Sequence, residues 1–102
     1  MTNLALTFKE VQTWLIEHGA MISGSRLRGC AREDSDWDYW IKAKHVKAYA
    51  IYLSNNEQCW EPFTCGIKTV VDGVRVDVCS EFPQNIDEII KQSVYRPFFS
   101  GY

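Results

Sequence analysis

The stretch Gly24-Ser25-Arg26-Leu27-Arg28-Gly29-Cys30-Ala31-Arg32-Glu33-Asp34-Ser35-Asp36-Trp37-Asp38 decides how the rest of the chain is read. The apolar run Ala20-Met21-Ile22 precedes it and has the character of a short buried strand that leaves into a turn. Ser25 to Gly29 has room for one helical turn. Glycine at such a strand end permits close backbone approach, and the exposed N–H groups there can hold a phosphate. Arg26 and Arg28 follow within reach of that phosphate. Further along, Asp36 to Ile41 alternates: Asp36, Asp38 and Trp40 share one face of a strand, and Trp37, Tyr39 and Ile41 the other.

A second segment, Ile67 to Cys79, supplies a third carboxylate. Thr69-Val70-Val71 and Val74-Arg75-Val76-Asp77-Val78 flank Asp72-Gly73. A two-residue Asp-Gly connection suits a type I′ hairpin turn. Val74, Val76 and Val78 then share one face, with Arg75 and Asp77 on the other. If this strand neighbours the first, Asp77 joins Asp36 and Asp38. Carboxylates within about 4 Å repel by roughly 4 kcal/mol per pair at an effective dielectric near 20. Such a cluster keeps a proton or recruits a cation. Beside a phosphate cradle the fitting cation is Mg²⁺ (or Mn²⁺), which takes one or two protein carboxylates plus substrate phosphates. The chemistry expected there is two-metal nucleotidyl transfer. A D-x-D alone is a weak signal, since an acidic turn commonly does no more than solvate a strand start. With G-S ten residues upstream, the chance of the full pattern in a chain this long falls to about one in a thousand.

These residues resemble a known family. Gly24-Ser25 through Asp36-x-Asp38, with the later Asp77, looks like the DNA polymerase beta-type nucleotidyltransferase superfamily. The likeness is greatest to its smallest members, the minimal nucleotidyltransferases often found beside HEPN-type toxins. Their block runs G-S-x-A-R-G-x-A-x-x-x-S-D-x-D, and Gly24, Ser25, Arg28, Gly29, Ala31, Ser35, Asp36 and Asp38 match it. The resemblance covers roughly residues 20–80. It implies that Gly24 and Ser25, assisted by Arg28, bind the triphosphate. Asp36 and Asp38 would hold both metals, and Asp77 the catalytic one while helping to activate the acceptor hydroxyl. The implied reaction moves a nucleoside monophosphate from a nucleoside triphosphate to an acceptor and releases pyrophosphate. Leu27, Cys30 and the Tyr39-Trp40 pair depart from the pattern and point to a narrower nucleotide pocket.

The remaining elements surround this block. Thr7 to Gly19 reads as a helix, with Thr7 and Glu10 as a capping box, Phe8, Val11, Trp14 and Leu15 as its apolar stripe, and Gly19 as its stop. Lys44 to Asn55 reads as a second, with Val46, Tyr49, Ala50 and Leu53 at helical spacing. Asn85 or Ile86 to Ser93 reads as the last, with Asn85 and Glu88 as its cap pair. The expected fold is α+β: one domain over residues 1–102, a small mixed sheet of about four strands, helices on one face.

At 46% hydrophobic and 14% aromatic, the 102 residues form a folded domain with a small core. The net charge of −2 gives no electrostatic basis for strong, non-specific nucleic-acid binding and leaves room for a local basic patch at Arg26, Arg28 and Arg32; a specific nucleic-acid partner is not indicated. No apolar run approaches a membrane span. Met1 to Lys9 shows no secretory pattern, so a cytoplasmic protein with Cys30, Cys59, Cys65 and Cys79 reduced is the expectation. The cysteines and histidines match no zinc spacing. Cys30 lacks a partner base and reads as a small turn residue. His18 reads as a cation at a helix end and His45 as part of a solvated helix start. Of the four tryptophans, Trp40 is the candidate for stacking a base, and Trp14 and Trp37 belong to the core. Two functions fit. One is a metal-dependent nucleotidyltransferase acting on a protein or small-molecule acceptor, a cognate toxin among them. The other is a silent module of the same fold that binds a protein partner, as an antitoxin or inhibitor does. The aromatic tail Tyr95 to Tyr102 is the expected association surface, whether toward its own domain, a partner or a second copy.

Overall fold

The computed structural model describes residues 6–23, 37–63, 65–81 and 84–91. Helix α1 spans Phe8–Glu17 and begins with the expected capping box: the Thr7 hydroxyl accepts from Glu10 N–H while the Glu10 carboxylate accepts from Thr7 N–H. Gly19 follows at φ 79°, a conformation that costs glycine nothing. Strands β1 (Met21–Ser23) and β2 (Trp37–Trp40), helix α2 (Ala43–Asn55), strands β3 (Trp60–Phe63), β4 (Gly66–Val71) and β5 (Val74–Cys79), and helix α3 (Ile86–Lys91) complete the order.

The sheet has five strands rather than about four, in the order β1-β2-β5-β4-β3. The strand missing from the sequence reading is β3. Pro62 argues against a strand interior, but β3 is an edge strand, where a missing N–H is tolerated. Trp60 anchors it: the ring is fully buried, and its indole N–H donates to Ser54 Oγ of α2 at 2.9 Å. This buried tryptophan is a core residue and is removed from any base-stacking role.

Between β4 and β5, Asp72 and Gly73 sit at φ 54° and 73°, the paired left-handed conformation of a type I′ turn. The hairpin tip also tethers α1, because the Asp72 carboxylate accepts from Phe8 N–H at 2.7 Å. That places a negative charge at the positive end of the helix dipole. Strands β2 and β5 are parallel neighbours, and every other pair is antiparallel.

One face of the sheet carries the core. Tyr39, Val76, Val78, Ile67, Thr69, Val71 and Trp60 are buried there. Helix α1 packs on it through Phe8 against Trp37, at 5.1 Å between ring centroids, and through Gln12, whose amide donates to Tyr39 Oη at 2.8 Å. Helix α2 buries Val46, Tyr49, Ala50 and Leu53, and meets α1 where Trp14 stacks on Tyr52. Trp14 and Trp37 thus pack against the core, both half-buried. Helix α3 joins through buried Ile89 and the Lys47–Glu88 ion pair. Its cap pair forms as expected, with Asn85 Oδ1 accepting from Glu88 N–H.

Tyr49 is an exception to the rule that buried polar groups are paired. Its hydroxyl is buried and has no hydrogen-bond partner among the described residues. Burial pushes the phenol far up, and the nearby Tyr52, Asp77 and Tyr39 add to the shift. Removing an unpaired buried hydroxyl removes a desolvation cost. Tyr49→Phe is therefore expected to leave stability unchanged or raise it by about 1 kcal/mol. Urea denaturation checks this, and a loss above that size would show a bond the geometry lacks.

Candidate functional site

The opposite face of the sheet is polar. Alternation sends Asp38 and Trp40 of β2 there, with Arg75, Asp77 and Cys79 of β5. Asp38 and Asp77 are direct register partners across the parallel β2–β5 pair. Register partners project to the same side, so both carboxylates rise from adjacent strands about 4.8 Å apart. The register thus sets Asp38 and Asp77 side by side on one face. Gly24, Ser25, Arg28 and Asp36, the other expected site residues, lie outside the described residues, as do Cys30 and the tail from Tyr95 to Tyr102.

Following the register outward extends the pair into a row. Ser23 is opposite Asp38, Lys68 opposite Asp77, and Glu61 opposite Lys68. Ser23, Asp38, Asp77, Lys68 and Glu61 thus cross all five strands in one line, each half-buried. Ser23 immediately precedes Gly24, so the chain leaves β1 beside Asp38. On the other side of the pair Lys68 supplies a cation, its ammonium 5.4 Å from the Phe63 ring centroid. Lys68 and Glu61 are members of the site that the sequence reading did not name.

A parallel row of apolar and small residues runs beside the first: Met21, Trp40, Cys79, Gly66 and Phe63. Gly66 is required here by close approach. A Cβ on it would be driven into the Val78 carbonyl, with the Cys79 Cα also in contact range. Cys79 reports on the carboxylates. Burial raises its thiol above the ordinary range, Asp77 and Asp38 raise it further, Cys65 adds to this, and Lys68 opposes. A neighbouring negative charge disfavours the thiolate, so removing one favours it. In a chain whose other cysteines are serine, Asp77→Asn is expected to lower the pH at which Cys79 reacts with iodoacetamide. An unchanged pH profile would place Asp77 too far away to act on it.

Two carboxylates on neighbouring strands are a fitting ligand pair for Mg²⁺ or Mn²⁺, which commonly takes one or two from protein. Among the described residues no group of three His, Cys, Asp or Glu side chains is assembled to hold a metal ion.

The histidines lie elsewhere. The His18 ring stacks on Trp14 at 3.7 Å, and its Nδ1 is 2.8 Å from the Trp14 carbonyl, a contact in which Nδ1–H donates. His45 lies in the first turn of α2 as expected, between exposed Lys44 and buried Val46, and is itself half-buried with its ring edge-on to His18 at 5.5 Å. Among the described residues, no helix is long and apolar enough to cross a membrane. Compared with protein-family models, with curated proteins and with solved structures, the chain matches none.

Proposed function

We propose that this chain is a metal-dependent nucleotidyltransferase domain that moves a nucleoside monophosphate from a nucleoside triphosphate to a hydroxyl on a protein or small-molecule acceptor. The observation that carries this is the Asp38–Asp77 register on the face turned away from the helices. Carboxylates brought side by side on neighbouring strands repel one another, and a divalent cation offsets that cost. The G-S…D-x-D spacing supplies the remaining parts in the order the site needs. Gly24, Ser25 and Arg28 follow β1 where Ser23 meets Asp38, and so hold the triphosphate. Asp36, two residues before Asp38 in the chain, would add the third carboxylate. Asp38 and Asp77 would hold Mg²⁺ or Mn²⁺, which would supply charge neutralisation for the phosphoryl group. Asp77 would accept the proton of the attacking hydroxyl as pyrophosphate leaves.

The test is direct. The protein is incubated with labelled ATP, GTP, CTP or UTP, Mg²⁺ or Mn²⁺, and host lysate. A labelled product that forms with wild type and disappears with Asp38→Asn supports the reading. No label transfer under any combination opposes it. The alternative, a silent module that works by association with a protein such as a toxin, draws on the exposed apolar side chains Ile16 and Met21, 58% and 59% accessible.

A further inference from the structure

At the β1 edge of the sheet an apolar pocket of about 580 Å³ lies beside the carboxylate row. Ile16, Met21, Ile22, Ser23 and Trp40 line it, together with Ala20 and Tyr39. None of these described lining residues carries a carboxylate, ammonium or guanidinium, and their apolar walls suit an uncharged group. Its size falls within the range of small-ligand sites, which combine apolar walls with few polar groups. Met21, Ile16 and Ile22 expose apolar surface around it, at 59%, 58% and 36% accessibility.

The pocket is continuous with the carboxylate pair. Ser23 lines it and is the register partner of Asp38. Trp40 lies two residues beyond Asp38 on the same strand and the same face, a displacement of about 7 Å along the strand. Trp40 is thus about one ribose length from a phosphate held at Asp38, on the side away from where the chain leaves β1. A triphosphate that starts at the end of β1 and passes Asp38 delivers its base toward Trp40.

We infer that this pocket binds the planar base of the nucleoside triphosphate, with Trp40 as its stacking surface and Met21, Ile16 and Ile22 as its rim; the inference rests on the nucleotidyltransferase reading of Asp38 and Asp77. Stacking on an aromatic side chain contributes about ten- to a hundredfold in affinity and tolerates any base. The pocket therefore gives the site affinity for nucleosides over bare polyphosphate.

Calorimetric titration of the full chain tests this, using Mg²⁺ with ATP, GTP, CTP and UTP in turn, and Mg²⁺ with inorganic tripolyphosphate. Wild type is expected to bind the nucleotides at least tenfold more tightly than tripolyphosphate. Trp40→Leu should erase that advantage and leave tripolyphosphate affinity within about twofold. Met21→Glu should do the same, and at a side chain this exposed the fold is not at stake. A nucleotide advantage that survives both variants overturns the inference. So does a wild type that binds tripolyphosphate and nucleotide equally, which leaves the carboxylate reading standing. Failure of wild type to bind either ligand overturns both. Light scattering covers the rival occupant: if Met21→Glu turns a dimer into a monomer while the nucleotide advantage persists, the pocket is a contact between copies and the inference is wrong.

Discussion

Asp38→Asn and Asp77→Asn are each expected to abolish the thermal stabilisation that Mg²⁺ and a nucleoside triphosphate give the wild-type chain. A ligand at a hundred times its dissociation constant stabilises the native state by about 2.7 kcal/mol. For a domain of this size that raises the melting temperature by about 10 °C or more. Without metal the variants should be as stable as wild type or slightly more so, because the carboxylate pair on β2 and β5 no longer repels. Nucleotidyl transfer should fall by about a thousandfold or more, the loss expected when transition-state charge is left unstabilised. Asp87→Asn, on exposed α3, controls for the simple loss of a carboxylate. Differential scanning calorimetry reads the shifts. Equal responses of wild type and both variants would move the site away from this pair. The combined Asp36→Asn and Asp38→Asn chain separates the two function classes: full biological activity would make the protein a binding module, and loss of activity an enzyme.

Gly66→Ala should produce the largest loss of stability. The added methyl meets the Val78 backbone, which belongs to the paired strand and cannot yield as a flexible side chain does. Relief requires β4 and β5 to part where Gly66 pairs with Cys79. Overpacking of this kind costs about 3 kcal/mol, a large share of the 5–15 kcal/mol typical of a domain. The same separation would displace Lys68 from Asp77, two residues along. Urea denaturation reads the first effect. A change below about 0.5 kcal/mol would mean that the strands accommodate the methyl.

Local signals carried much of the fold. The Thr7–Glu10 capping box, the Asn85 cap, the stop at Gly19 and the Asp72-Gly73 turn involve groups within a few residues of one another, so residue order alone specifies them. Strand alternation likewise assigned Asp38 and Asp77 to defined faces of their own strands. Lys68 was within reach of the same logic: a two-residue turn at 72–73 pairs Val71 with Val74, and counting back pairs Lys68 with Asp77. Glu61 was not, because its strand reads poorly, with Pro62 in its middle and its stability drawn from Trp60 reaching Ser54.

Residue order by itself determined which side chains each segment could offer: Gly24, Ser25 and Arg28 after one strand, Asp38 on the next with Asp36 two residues before it in the chain, and Asp77 on a hairpin. Only the tertiary structure decided that β2 and β5 are parallel neighbours and that Asp38 stands opposite Asp77 with Lys68 and Glu61 beyond it. The reason is physical. Alternation is a property of one strand, whereas parallel pairing of strands so far apart in the chain depends on the helix and strands between them closing onto one core. That core lies on the face that Tyr39, Val76 and Val78 share, and burying it turns both aspartates to the other side of the sheet.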